Sequence, residues 1–325
     1  MTSASTTGAG PRHPAFGLSM ALLTAAAFGT AGTFALGLIG AGWSPAAAVF
    51  ARAGISALVL LVPTVLIARR RLGVLRRNLS TITVFGLVAV AGSQVAYFNA
   101  VQHLSVAVAL LIEYMGIVLV VGWLWLRHGQ RPRAMTCAGG ATAILGLGLV
   151  LNLAGGTTVS LVGVLWALAA AVGLAAYYVM SAQSDPELPP LVMSGGGMLV
   201  GAVALGGLGL VGVLPMQWST ADVTLAGANL PWWLPVIGLA LIPGALAYST
   251  GVIAARALGS TVSSFVGLTE VLFAVFFAWL ALGQLPTTVQ LIGGALIVLG
   301  VTVVRIGELR ATDPIAEPAV PAPAG

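Results

Sequence analysis

Lysine is absent from this 325-residue chain, cysteine occurs once, and charged residues of every kind make up only 6% of it. Each scarcity closes off a class of protein. So few charges cannot coat a soluble globule of this length with polar surface. The lone Cys137 lies in an apolar run, which leaves neither a disulfide framework nor a cysteine-built metal site. No HExxH occurs, and no nucleophile, base and orienting group fall together within the apolar stretches. No cofactor or metal is therefore expected. All thirteen basic residues are arginine, and the pI near 10.1 would elsewhere suggest nucleic acid. Here the arginines lie between apolar runs, so they mark a membrane face instead and no nucleic-acid partner is expected.

What is present is hydrophobic: 59% of the residues. The chain is read as an integral membrane protein with the lipid bilayer as its surroundings. A hydrocarbon core of about 30 Å needs roughly 20 apolar residues per helix. Ten segments meet that need, approximately 16–40, 45–68, 81–102, 105–126, 134–153, 159–181, 191–213, 233–254, 260–282 and 288–306. The first is too long for a signal-peptide core and has no convincing cleavage site. Most joints are short, so consecutive helices should be antiparallel neighbours. The longer joint 214–232 carries Trp218 and Trp232, with Trp233 beside them, suited to the membrane–water interface. Residues 1–15 form a polar tail, and 307–325 a Pro- and Ala-rich tail expected to be disordered.

Twelve of the thirteen arginines fall on one side of a ten-helix arrangement: Arg12, Arg69, Arg70, Arg71, Arg76, Arg77, Arg127, Arg131, Arg133, Arg256, Arg305 and Arg310. That side is expected to be cytoplasmic, together with both termini.

A long segment occurs twice. Leu104–Gly146 slides onto Leu258–Gly300 without a gap, placing Trp125 on Trp279, Gly129-Gln130 on Gly283-Gln284, Pro132 on Pro286 and Gly139-Gly140 on Gly293-Gly294. A register kept by glycine, proline and tryptophan points to duplication. The repeats are taken as 16–153 (helices 1–5) and 159–306 (helices 6–10). Five helices per repeat is an odd number, so the halves enter the membrane in opposite directions, as in many secondary transporters.

Three ionisable residues lie inside apolar spans: Arg52, Glu113 and Glu270. A charge at the bilayer centre costs about 2.5–3.5 kcal/mol on insertion scales, so each should face the bundle interior, a cavity or a partner. In the repeat frame Glu113 corresponds to Gly267 and Glu270 to Gly116, which suggests two acids and two glycines lining one central cavity. Each acid is either a structural carboxylate or a group that binds a substrate cation or a proton. Arg52 is either a salt-bridge partner or an anchor for a substrate carboxylate. Tyr97, Tyr114, Tyr248 and Gln94 are further candidates for the site, and Tyr177 and Tyr178 either reach substrate or satisfy one another. Pro243-Gly244 within helix 8 is a candidate hinge. His103 and His128 are read as interfacial. The run Gly207–Gly212 imitates a dinucleotide fingerprint but lies in an apolar span, where close helix packing accounts for it, as for Gly197 and Gly201.

The hairpins ending in GQRP and GQLP, each followed by a Gly-rich helix, resemble the EamA domain of the drug/metabolite transporter superfamily. The phrase Ile112-Glu113-Tyr114-Met115-Gly116 is similar to a motif of the threonine/homoserine exporters, although Ile117 stands where those usually have proline. Gln130 and Gln284 stand where many members have glutamate. The resemblance implies ten helices and export of small metabolites across the bacterial inner membrane. The resulting expectation is an alternating-access secondary transporter, monomeric or homodimeric. It would export a small amino-acid-like or amphiphilic substrate, coupled to protons through Glu270 first and Glu113 second. The competing readings are a broad-specificity drug exporter, an uptake permease, an intramembrane lipid enzyme and a passive channel.

Overall fold

A computed structural model describes residues 14–100, 102–104, 106–150, 160–282 and 287–312. The end tails 1–13 and 313–325 and the segments 151–159 and 283–286 lie outside the described residues. The chain is an all-α membrane protein relieved by one small hairpin. In order it runs α1 (Pro14–Gly29), α2 (Ala31–Gly40), α3 (Pro45–Ala68), the short α4 (Leu72–Arg77) and α5 (Leu79–Val84). A π-helical segment (Phe85–Gly92) leads into α6 (Ser93–Ala100), α7 (Val106–Tyr114), α8 (Gly116–His128), α9 (Ala134–Val150), α10 (Leu161–Gln183) and α11 (Pro190–Leu210). Strands β1 (Val223–Leu225) and β2 (Ala228–Leu230) precede α12 (Trp233–Ala240) and a second π-helical segment (Leu241–Leu246). Helices α13 (Ala247–Gly267), α14 (Thr269–Leu282) and α15 (Thr288–Thr312) complete the chain.

Among the described residues eight helical stretches are long and apolar enough to cross a bilayer, and Ala134–Val150 and Thr269–Ala281 are shorter apolar helices. Leu58, Val62, Leu126 and Leu145 point outward with more than 60% of their surface exposed, as lipid-facing residues do. Local signals set several ends. Ser44 accepts a hydrogen bond from the Ala47 amide at 3.2 Å ahead of Pro45, a polar cap and a proline where a helix begins. At the far end of α8, Gly129 turns left-handed at φ +67° and stops it.

Three differences from the expected layout have physical causes. The stretch Trp233–Gly267 is hydrogen-bonded as one helix, yet Gly259 sits inside it at φ +79°, a conformation that only glycine adopts cheaply, so the chain kinks there. The joint 214–232 is no plain loop. It folds as the β1–β2 hairpin around Ala226 and Gly227, both at positive φ, and buries Val223 and Leu225 over Gly37 of α2. Trp43 anchors it by donating from Nε1 to the Ser219 carbonyl at 2.7 Å and stacking edge-on with Trp218. Finally, α15 continues to Thr312, so the first residues beyond 306 are helical.

Glycines set the closest helix contacts. Helices α9 and α15 run antiparallel, and a Cβ on Gly146 would stand 2.5 Å from the Gly293 carbonyl oxygen, one on Gly139 2.6 Å from that of Gly300. In the 154-position repeat frame these two contacts are images of each other. Gly197 and Gly201 of α11 likewise admit Phe85 and Val90.

One face carries a polar tie between segments far apart in sequence. Arg77 donates from Nη2 to Asp185 Oδ2 at 2.6 Å and to Glu187 Oε2 at 2.7 Å, and Asn78 donates to the same Asp185 oxygen at 2.9 Å. Asn78 first, then the Glu187 amide and Arg77, hold the Asp185 carboxyl down to about 2 from an ordinary value of 3.8. A depressed carboxyl contributes stability above its unfolded value, and that contribution is lost as pH falls from 3.8 through about 2. Accordingly, Asn78→Ala should raise the Asp185 midpoint toward the ordinary aspartate value and by more than Arg77→Gln does. An isotope-edited NMR or infrared titration of the carboxyl reads this directly; a larger rise in the arginine variant would reverse the assigned order of causes.

Candidate functional site

The two acids arise from helices broken beside them. Helices α7 and α8 part at Met115, two residues after Glu113; α13 and α14 part at Leu268, two residues before Glu270. In the repeat frame the breaks fall one residue apart. Glu270 thereby occupies the first turn of α14, where free amide donors and the helix dipole favour an anion. Both residues are half-buried among packed helices.

These acids are brought together. Glu270 lies close enough to feel the charge of Glu113, both acids lie within the field of Arg52 on α3, and Tyr97 on α6 is within the field of both acids. The Tyr114 hydroxyl of α7 donates to the Glu270 carboxylate of α14, so the corresponding segments of the two repeats meet at that bond. Ser93 Oγ reaches Glu113 Oε1 at 3.5 Å, the outer limit of a hydrogen bond. Tyr248 on α13 adds a ring within the field of Arg52 and both acids. Arg52 is buried, 8% exposed, and its Nε has no hydrogen-bond partner among the described residues. That is an unusual condition for a buried polar group. Gln94 of α6 is partly exposed, and its side chain makes no hydrogen bond among the described residues.

The candidate hinge residues lie in irregular helix. Pro243 and Gly244 lie in the π-helical segment Leu241–Leu246, and the other π-helical segment, Phe85–Gly92, precedes α6 just as this one precedes α13. Both stand immediately upstream of an Ala-Tyr-bearing helix that faces the acids, and π-helical turns recur at functional sites. Ser56 of α3 donates to the Ala240 carbonyl at 2.8 Å, satisfying a backbone group at the mouth of the second segment. The missing side chain of Gly244 lets Ser56 and the Arg52 stem lie against it.

A shared cavity lined by both acids and both glycines is not what forms. A small cavity of about 10 Å³, room for about one water, is lined by Glu270, Gly267, Thr24, Phe28, Tyr178 and Ser263 among others, but not by Glu113 or Gly116. Gly116 instead packs on the Ala171 carbonyl of α10, where a Cβ would come within 2.6 Å, and the Tyr178 hydroxyl fills the space beside Gly267. The pairing in the repeat frame is real in sequence, but α10 occupies the face that the glycines leave free.

The sequence reading passed over α1. Phe28 packs edge-on against Tyr248 with ring centroids 5.2 Å apart and against Tyr177 at 6.4 Å, while Tyr177 touches Tyr178 at 5.0 Å, Tyr248 at 5.5 Å and Phe85 at 5.9 Å. Thr24 hydrogen-bonds Thr250 at 2.8 Å on the same wall. Ser263 Oγ and the Tyr177 hydroxyl are buried without partners among the described residues. The signal available beforehand was only an aromatic and a threonine one helical turn apart on α1, which ordinary packing also produces.

The sequence profile of the EamA-like transporter family matches residues 15–152 and 161–306, both halves of the chain. The protein belongs to the EamA-like transporter family. An uncharacterized transporter of Archaeoglobus fulgidus is 26% identical over 227 residues, spanning 70% of this chain and 76% of that protein. A protein of known crystal structure shares the fold with a TM-score of 0.74 at 22% identity, covering 91% of this chain and 99% of its own. The candidate site of this EamA-like transporter draws on both matched halves.

Proposed function

We propose that this protein is a ten-helix, inverted-repeat secondary transporter of the cytoplasmic membrane, both termini cytoplasmic, that exports small amphiphilic, amino-acid-like metabolites in exchange for protons. The observation that carries the reading is the meeting of Glu113 and Glu270 beside two helix breaks, joined by Tyr114 across the repeats. A membrane protein has little reason to place two carboxylates in each other's field unless their charge is used. The mirror-image glycine contacts of α9 and α15 support the inverted repeat at 16–153 and 159–306, and the arginine distribution supports the orientation. The Glu113-Tyr114-Met115-Gly116 phrase favours the threonine/homoserine exporter-like branch.

In this mechanism the site alternates between a proton and a substrate cation on the acids. The π-helical segments and the Gly259 kink supply backbone able to change shape between faces. Reconstitution of the full chain in vesicles loaded with a labelled amino-acid mixture tests it. Efflux should saturate with internal concentration and rise when the outside is acidified. A linear efflux indifferent to pH would mark a passive channel and remove the reading.

A further inference from the structure

Two clasps hold α3 against α11, one at each end of the pair. At the arginine-rich end, segment 69–78, which follows α3, grips segment 184–189, which precedes α11. Arg77 bonds Asp185 and Glu187, Asn78 bonds Asp185, and Arg71 donates from Nη1 to the Glu187 carbonyl at 3.2 Å. At the opposite end, segment 211–232, which follows α11, grips segment 41–44, which precedes α3. The Ser44 amide donates to the Gln217 carbonyl at 3.1 Å, and Ser44 Oγ donates to the Pro215 carbonyl at 2.6 Å. The Gln217 amide returns a bond to Ser44 Oγ at 3.0 Å, and Trp43 holds the Ser219 carbonyl. Between the clasps the helices touch: a Cβ on Gly206 would stand 2.7 Å from the Phe50 ring, and Thr64 donates to the Leu191 carbonyl at 3.1 Å.

Helix α3 is the second helix of the first repeat and α11 the second of the other, so the clasps are images of each other. In each, the segment after the second helix of one repeat holds the segment before the second helix of its partner repeat. One contact of the hairpin lacks such an image. At its tip, Ala226 donates from its amide to the Ala281 carbonyl in the last turn of α14, at 2.9 Å. In the 154-position frame Ala281 matches Arg127 on α8. Among the described residues no hydrogen bond joins α8 to segment 69–78.

We propose that the β1–β2 hairpin is a latch on the face opposite the arginines: it is rooted on an α3–α11 spine that stays clasped at both ends through the transport cycle, and its Ala226–Ala281 bond must open before that face opens. This rests on the transporter reading above and adds to it which parts move. With inverted repeats, the state open to one side is the state open to the other with the conformations of the two halves exchanged. The halves here differ. The first helix of one is interrupted at Thr30 between α1 and α2, while its counterpart α10 runs unbroken over Leu161–Gln183, and the small cavity reaches Glu270 without reaching Glu113. Exchanging unlike halves changes the molecule, yet it returns each clasp as the image of the other. Both clasps therefore persist in both states, and α3 and α11 part at neither end.

The tip bond has no such protection. Helix α14 carries Glu270 in its first turn and ends at the hairpin, so α14 has to move aside for that acid to meet this face. The hairpin stays behind, held to the spine by Ser44 and Trp43 and to α2 by Val223 and Leu225 against Gly37. What joins the fixed part to the moving part is then a single backbone hydrogen bond, whose net strength in contact with water is small enough to open and close repeatedly.

The test is efflux from the vesicles described above, using the full-length chain with Cys137→Ser and one pair of added cysteines. Each pair is bridged in detergent by a short bis-methanethiosulfonate that a reducing agent removes, with bridging scored by intact mass. Arg77→Cys with Glu187→Cys spans the first clasp. Gly42→Cys with Ser219→Cys spans the second, where a Gly42 Cβ would lie 3.5 Å from that of Ser219. Ala226→Cys with Ala281→Cys spans the latch. If a pair is inactive even when reduced, Arg71 replaces Arg77, Ala41 replaces Gly42, or Leu280 replaces Ala281. Bridging either clasp should leave efflux within about twofold of the reduced protein, whereas bridging the latch should lower it at least about 10-fold, with recovery on reduction. Loss of efflux on bridging either clasp overturns the spine, and undiminished efflux with the latch bridged overturns the latch. Failure of the transporter reading is distinct: it shows as absence of saturable efflux from the unmodified protein, before any cysteine is added.

Discussion

Glu270→Gln is expected to abolish proton-driven export while the protein keeps its normal abundance in the membrane. Glutamine preserves the size of the side chain and can still accept from the Tyr114 hydroxyl, so the junction between α7 and α14 survives. What it cannot do is carry a charge or exchange a proton. Removing one member of a desolvated charge set typically costs about 2–5 kcal/mol in binding, so transport should fall by at least about 30-fold. Stability should move the other way or not at all, because a neutral amide is cheaper to bury than a carboxylate. The measurement is initial export rate against external pH, with membrane abundance by immunoblot and thermal unfolding in detergent alongside. A variant that exports at the wild-type rate with the wild-type pH profile would remove Glu270 from the mechanism.

Gly146→Ala should be among the most destabilising single-methyl changes in the chain. The added carbon would stand 2.5 Å from the Gly293 carbonyl oxygen, 2.8 Å from the Ile297 amide nitrogen and 2.8 Å from the Leu296 Cβ. Two of these are backbone atoms of α15 and cannot rotate away, so the helices must separate. Overpacking of this kind costs roughly 1–3 kcal/mol, and Gly146→Leu more. Gly139→Ala should behave alike against Gly300 and Val304. Gly122→Ala on α8 is the control: nothing lies within 4 Å of its added carbon, so the change should be neutral or slightly stabilising through reduced chain entropy. Unfolding midpoints in detergent separate the two. Equal midpoints for Gly146→Ala and Gly122→Ala would mean that α9 and α15 do not touch at these glycines.

Much of the site was legible in one dimension because charge is so costly in lipid. In a chain with 6% charged residues, Arg52, Glu113 and Glu270 stand out inside apolar spans, and physics leaves them only the bundle interior. Tyr97, Tyr114 and Tyr248 followed from their nearness to the acids or from the repeat frame, and the structure sets all three in the field of the acids. Gln94 was chosen on polarity alone, and its side chain makes no hydrogen bond among the described residues. Phe28 and Thr24 went unseen, since an aromatic or a threonine in an apolar helix carries no mark of what it will face. The β1–β2 hairpin was hidden for a related reason: three-residue strands are too short to show a period.

The sequence by itself determined a membrane-embedded helical protein, a duplication in register over Leu104–Gly146 and Leu258–Gly300, and three charges obliged to face inward. These follow from composition and spacing, which act at every residue whatever its neighbours. Only the tertiary structure decided that α10 fills the face left by Gly116 and Gly267, that Glu113 is left off the small cavity lined by Glu270, and that both acids sit beside helix breaks. Those outcomes depend on which helix packs against which, to within the width of a methyl group, and spacing along one chain does not encode that.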